Sequence, residues 1–357
     1  MSQIEVLDIR GSKEATGSTP HLRAEILQGL SKSPGHRTIP GETLFDETGL
    51  KMYDEGMKTW RKWYYPFEAE KEILEVRGLE IAKLLKTSSK GEAVLIELGA
   101  GSLEKTSQIL LSAAQIAETA DNSTTNPITY YALDLEHREL ERTLAALQDA
   151  IGPRIAGKIT TKGMWGTYED GIRVVERNDL KFPSDVPLHI LFLGGTIGNF
   201  SKADGDIAFL KSLPLNRKRG DTLLLGVDRA KAVELIERAY GFAAATGWIM
   251  NGLKVSGRVL TGDEELFESG NWERYSKYNE ELGRYEAGYK SRKDQTIKVA
   301  KDVDIVFSKD EVILVTYSNK YTDAEIKTVF DGAGLEIVES WMDKKAQYCL
   351  FLLKAVS

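Results

Sequence analysis

Residues 97–102 read ELGAGS and close one apolar run just before a helical one begins. Glycines at such a turn let the backbone approach a ligand closely, and the helix start that follows favours negative charge. A dinucleotide fingerprint needs a third glycine three residues after Gly101. Glu104 stands there, where a carboxylate would repel a pyrophosphate and crowd the helix–strand contact. Gly99 and Gly101, preceded by the acidic Glu97, therefore suit a ligand without phosphates. S-adenosylmethionine is such a ligand, since its sulfonium and amino-acid tail replace the pyrophosphate; the alternative is a tight turn with no ligand. The next apolar run ends ALDLE, which puts Asp134 where a carboxylate can accept from both ribose hydroxyls, unless it merely caps the following helix. GMWGTYEDG ends a third run and places Thr167 and Tyr168 near an adenine; taken alone, Tyr168 reads more often as ordinary core.

Other chemistries lack their residues. His21, His36, His137 and His189 are scattered, and His189 opens a strand at the end opposite the glycine turn. No HExxH, CxxC or acidic metal cluster occurs, so no metal is expected. The 357 residues carry 47 basic and 54 acidic side chains, a net charge of −7. That excess argues against a phosphate-backbone binder, and NRKRGD (216–221) reads as a solvated turn. Cys349, the single cysteine, has no internal disulfide partner and points to a reducing compartment. No run approaches the roughly 20 apolar residues of a membrane span, and the N-terminus is too charged for a signal peptide. A cytoplasmic monomer acting on a small molecule is expected, with no nucleic acid and no membrane.

These residues must be held by elements, and the elements alternate. Helical spacing over 67–86, 104–117, 136–150 and 168–177, with a further helix after Ser201, separates near-continuous apolar strands. Such strands imply a parallel sheet covered on both faces, and right-handed crossovers give a doubly wound, Rossmann-like α/β domain. The segment TADNSTTNP (119–127) reads as a surface loop. Residues 1–66 and 230–319 fall outside the alternation. The stretches WIMNGLKVSGRVL, NWERYSKYNEELGRYEAGYKSR and VILVTYSNK suggest period-two antiparallel strands, hence a second domain. The first domain then comprises 67–229 and 320–357, with the last segment forming a hairpin that closes the edge of its sheet.

The fourth run makes the reading specific. FLGGTIGNFS (192–201), together with YYALDLEHREL, WGTYEDG, YYP (64–66) and YSNKY (317–321), resembles the signature of the histidine-specific N-alpha-methyltransferase family of ergothioneine biosynthesis. Fungal relatives in that family methylate tryptophan or dimethylallyltryptophan. The resemblance covers roughly Leu44 to the C-terminus. It implies a class I methyltransferase domain with a second, α+β substrate-binding domain formed from the N-terminal segment and an insertion.

Carried over residue by residue, the resemblance implies that Gly99, Gly101, Lys105, Asp134, Thr167 and Tyr168 line an S-adenosylmethionine pocket. Asn199 would hold the substrate's α-amino group, Tyr240 its carboxylate, and Tyr64 would stand close to the amino acid. On this carry-over Asn199 and Tyr64 are the catalytic candidates, Asn199 aiming the nitrogen lone pair. Where the family often has a tyrosine before an aspartate, LFDETG has Phe45. Histidine methylators carry a glutamate two residues before the serine of an E-x-S-x-K segment; TYSNKY has Thr316 there and retains Ser318. Where they have a methionine, RYEAG has Ala287. Losing the carboxylate weakens recognition of imidazole, and alanine frees space that an indole fills with hydrophobic burial. The resemblance thus implies S-adenosylmethionine-dependent methylation of the α-amino group of L-tryptophan, once or repeatedly. Histidine and 4-dimethylallyltryptophan are the alternative acceptors, and a non-catalytic cofactor-binding regulator is the alternative of a different class.

Overall fold

The computed structural model describes residues 4–11, 19–85, 87–101, 103–119, 127–243, 245–345 and 347–357; most of the TADNSTTNP segment lies outside them. In chain order the helices are α1 (Thr19–Leu30), α2 (Glu47–Trp60), α3 (Tyr65–Leu84), α4 (Glu104–Thr119), α5 (His137–Ile155), α6 (Tyr168–Glu176), α7 (Gly205–Ser212), α8 (Val233–Tyr240), α9 (Ala245–Thr261) and α10 (Asp323–Ala333). The strands are β1 (Val6–Asp8), β2 (Ala93–Leu98), β3 (Ile128–Asp134), β4 (Ile159–Trp165), β5 (Leu188–Phe192), β6 (Thr222–Asp228), β7 (Trp272–Asn279), β8 (Arg284–Ser291), β9 (Gln295–Ala300), β10 (Val303–Phe307), β11 (Val312–Asn319), β12 (Leu335–Met342) and β13 (Tyr348–Ala355).

The chain separates into two compact units. The first contains residues 1–11, 66–229 and 321–357. Among its described residues one eight-stranded sheet runs in the order β1-β4-β3-β2-β5-β6-β13-β12. The first six of these strands pair in parallel, while β13 runs antiparallel to β6 and β12 antiparallel to β13. Alternation along β2 explains the two-faced burial. Leu95 packs with Ile73, Ile109 and Leu144 on one face, whereas Val94, Ile96 and Leu98 pack with Phe192, Phe209 and Val329 on the other. The strand order reverses between β2 and β5, and in such sheets a ligand binds beyond the carboxyl ends of the strands at that reversal. The turn after β2 is the glycine segment.

Two expectations need correction. Residues 4–11, assigned from the sequence to the second domain, belong with the parallel sheet: Val6 pairs with Gly163 and Asp8 with Trp165 on the open edge of β4. Edge pairing satisfies backbone groups that β4 would otherwise expose, and the Arg10 guanidinium lies over the Trp165 ring. The stretch WIMNGLKVSGRVL is not a strand but most of α9. Its buried residues Ile249, Asn251, Gly252, Leu253, Ser256 and Leu260 recur at helical spacing.

The second unit contains residues 12–65 and 230–320. A three-stranded antiparallel sheet, β11-β8-β7, and a hairpin, β10-β9, pack with helices around Ile26, Leu44, Ile249, Leu253, Tyr289 and Ile313. The register of β11 against β8 shifts between Leu314 and Thr316, so Val315 is bulged and Thr316 comes opposite Ala287. A bulge of this kind re-aims the side chains that follow it.

Candidate active site

In the first unit the end of β2 opens into the glycine turn. Gly99 and Gly101 hold φ of 70° and 55°, in the left-handed region that glycine tolerates. The backbone N–H groups of Gly99 and Ala100 donate to the Leu133 carbonyl at 3.0 and 3.1 Å, which ties the turn to the end of β3. A Cβ added at Gly99 would lie 2.7 Å from the Tyr168 hydroxyl, so that tyrosine closes over the turn only because residue 99 is glycine. Burial raises the Tyr168 phenol, which keeps it neutral, and its ring meets Phe192 edge-on at 5.5 Å.

Asp134 ends β3 beside the same turn. Its carboxylate accepts from the Gly101 N–H at 3.3 Å and the Leu135 N–H at 2.7 Å. Burial raises its pKa, partly offset by these bonds to the charged form. The side chain does not cap α5, for which Glu136 is the N-cap residue without a side-chain bond. Thr167 is the N-cap of α6: its Oγ1 accepts from the Asp170 N–H at 3.1 Å while Asp170 accepts from the Thr167 N–H at 3.0 Å. This reciprocal cap uses the Thr167 hydroxyl and fixes Tyr168, the first residue of the helix.

Glu97 does not face the turn. It lies fully within the core, where Thr106 and Tyr130 donate to it. Burial pushes its carboxyl up to about 7, against the opposing pull of those bonds and of Lys105. Lys105, in the first turn of α4, pairs with Glu70 of α3, a carboxylate with no exposed surface. Asn199 ends a short 3-10 turn, Thr196–Asn199, entered from Gly194 and Gly195 with φ of 75° and 68°. Its side chain is exposed.

In the second unit the strand register gathers the remaining candidates. Thr316 stands opposite Ala287, and Ser318 opposite Tyr285. Ser276 stands opposite Ala287 on the other flank. Residues paired across strands share a face, so Ser276, Ala287 and Thr316 form a row of small side chains with Tyr285 and Ser318 beside it. Tyr240, at the end of α8, packs its ring 5.1 Å from Tyr285 and 5.2 Å from Tyr64. The Tyr64 hydroxyl donates to that of Tyr240 at 3.5 Å, and the Tyr240 and Ser318 hydroxyls are 3.2 Å apart. Lys320 completes the group: its buried ammonium donates to Tyr240 Oη at 3.0 Å and Ser318 Oγ at 2.8 Å, and lies 4.2 Å above the Tyr240 ring. Phe45, 39% exposed, sits apart in an aromatic group with Tyr53 and Trp248.

The sequence reading missed Glu70, Ser276 and Lys320. Glu70 carries one signal, a carboxylate at helical spacing three residues before the buried Ile73. Lys320 stands within the YSNKY motif itself, and only its burial distinguishes it from a surface lysine. Ser276 becomes visible only through the register of β7. Among the described residues no group of three or more histidine, cysteine, aspartate or glutamate side chains could hold a metal ion. No described helix is long and apolar enough to cross a membrane.

A doubly wound sheet whose order reverses beside a glycine turn, with a carboxylate ending the next strand, defines a Rossmann-like domain. The residues fit S-adenosylmethionine: the turn leaves open space at Gly101, and Asp134 and Lys105 are an acceptor and a cation of the kind its ribose and carboxylate would need. The chain belongs to the histidine-specific, S-adenosylmethionine-dependent methyltransferase family, whose model matches residues 22–355. It is 70% identical to an L-tryptophan methyltransferase, trpM, of Psilocybe serbica across 99% of both chains. It is 31% identical to ergothioneine biosynthesis protein 1 of Neurospora crassa over 95% of this chain and 35% of that one. Identity to the 4-dimethylallyltryptophan N-methyltransferase easF of Claviceps fusiformis is 30%, over 99% of this chain and 96% of that one.

Proposed function

We propose that this S-adenosylmethionine-dependent methyltransferase methylates the α-amino nitrogen of L-tryptophan. The observation that carries the reading is the cluster of Tyr64, Tyr240, Ser318 and Lys320 beside the row Ser276, Ala287 and Thr316. An ammonium and three hydroxyls supply the donors that an amino-acid carboxylate needs. The adjoining row has no carboxylate to bind a cationic imidazole and no long side chain to compete with an indole. The close relation to the tryptophan methyltransferase of Psilocybe serbica supports the same acceptor.

S-adenosylmethionine, when bound, would supply a sulfonium methyl carbon, which a neutral amine would attack in line as the C–S bond breaks and the thioether leaves. Gly99, Gly101, Asp134 and Tyr168 are the groups that hold this donor, with Lys105 toward its carboxylate. Thr167, whose Oγ1 caps α6, joins this group beside Tyr168 toward the adenine. Asn199 accepts a hydrogen bond from the amine N–H and aims the lone pair, so positioning supplies much of the rate. A second cation nearby disfavours the ammonium form and helps deliver the neutral amine. The second unit is the substrate-binding domain in this reading, and the enzyme works as a cytoplasmic monomer whose single cysteine is buried.

Purified protein incubated with the donor and equimolar tryptophan, histidine and 4-dimethylallyltryptophan tests the reading by mass spectrometry. Nα-methylated tryptophan as the leading product is expected. Preferential methylation of histidine, or methylation on the indole ring or carboxyl, overturns it.

A further inference from the structure

Glu70 is a fully buried carboxylate in the first unit that the proposed chemistry leaves unused. Its Oε1 accepts from the Tyr348 hydroxyl at 2.7 Å and from the Gly194 N–H at 2.9 Å. Its Oε2 accepts from the Gly194 N–H at 3.1 Å and from the Lys105 ammonium. The strand beneath makes room for it: a Cβ added at Gly226 would lie 2.5 Å from Glu70 Oε1 and 2.2 Å from Tyr348 Oη. A carboxylate taken out of water in this way is costly unless every lone pair is satisfied, and a hydrophobic side chain would hold the helix there more cheaply. What a carboxylate adds is geometric. It reaches α3, α4, β13 and the loop after β5 from one point.

Two of those contacts lead to groups assigned above. Lys105 lies four residues beyond Gly101, and Gly194 opens the two-glycine loop that ends at Asn199. We propose that Glu70 is a positioning residue that sets the donor-binding lysine and the Asn199 loop together. Through Lys105 it fixes the cation offered to the carboxylate of the cofactor, and through the Gly194 N–H it fixes the loop that aims the amine. The proposal rests on the assignments of Lys105 and Asn199. Its cofactor arm is read without any acceptor, so failure of the tryptophan reading leaves that arm intact.

The test compares Glu70→Gln, Lys105→Met and the double variant by calorimetric titration with S-adenosylhomocysteine, which keeps the amino-acid carboxylate, and by turnover at saturating substrates. Glu70→Gln is expected to weaken S-adenosylhomocysteine about tenfold with the unfolding temperature little changed. Turnover at saturation should fall at least tenfold, because the loop arm acts after binding. The double variant should bind no more weakly than Lys105→Met, since both substitutions break one pathway. If Glu70→Gln does not fold, the double variant, which removes both charges, carries the comparison with Lys105→Met. Binding by Glu70→Gln within twofold of the parent, or a double variant whose loss is at least tenfold beyond that of Lys105→Met, overturns the proposal.

Discussion

Replacing Lys320 by methionine tests the amino-acid site most directly. The side chain is 4% exposed, so its ammonium was taken from water and offset by its bonds to Tyr240 Oη and Ser318 Oγ. Methionine matches the length of the stem and removes only the charge and its donors. A hydrogen bond to a charged group contributes about 1.5–3 kcal/mol net. At about 1.4 kcal/mol per tenfold, losing one such bond to a substrate carboxylate lowers kcat/KM for L-tryptophan by about 10- to 150-fold. L-tryptophanamide, which has no carboxylate, should change by less than about threefold with the same variant. Initial rates over a range of both acceptors, with the unfolding temperature measured alongside, decide it. Equal losses for the two substrates would mean that Lys320 supports the fold rather than the carboxylate. An unchanged rate with tryptophan would remove the anion-binding reading of the whole cluster.

Asp134→Asn keeps one acceptor oxygen and should weaken S-adenosylmethionine about tenfold by calorimetry, as expected for losing one charged hydrogen bond; unchanged affinity would show that the carboxylate does not meet the ribose. Thr316→Glu places a carboxylate opposite Ala287, so kcat/KM for tryptophan should fall at least tenfold while that for histidine rises. A tryptophan rate that survives intact would refute the pocket argument. Glu97, raised to about 7, favours the folded state fully below its ordinary range near 4.5, and that contribution is lost as pH rises through about 7. Glu97→Gln should therefore gain in relative stability between pH 5 and pH 8, by at most about 3 kcal/mol from the size of the shift; melting curves that keep a constant offset across that range would contradict the assignment.

The parts of this site that were legible in the sequence are those written in local pattern. A glycine pair after an apolar strand and an aspartate ending the next strand mark the carboxyl end of the sheet at its reversal, because backbone conformation and strand direction alone fix where they lie. The parts that were not legible depend on contacts across long separations. WIMNGLKVSGRVL reads as a strand because its glycines and β-branched residues mask a helical stripe, yet Gly252 and Gly257 lie in α9 where Cβ atoms would meet Tyr289 and Asp263. The N-terminal strand is only three residues long and has meaning only beside the edge of β4.

The buried charges show the same limit more sharply. Glu70 and Tyr348 lie 278 positions apart, and no pattern in either segment announces the other. Glu97 was legible as an acidic residue before the glycines, but not the direction in which it points. Toward the ligand it would have been a binding carboxylate; in the core it ties α4 to β3 through Thr106 and Tyr130. Around one glycine turn, then, three carboxylates do three different things: Asp134 meets the turn, Glu97 locks the helix behind it, and Glu70 orients the lysine. Burial separates these roles, since a carboxylate must be satisfied wherever water is excluded, and its satisfying partners determine which element it holds in place.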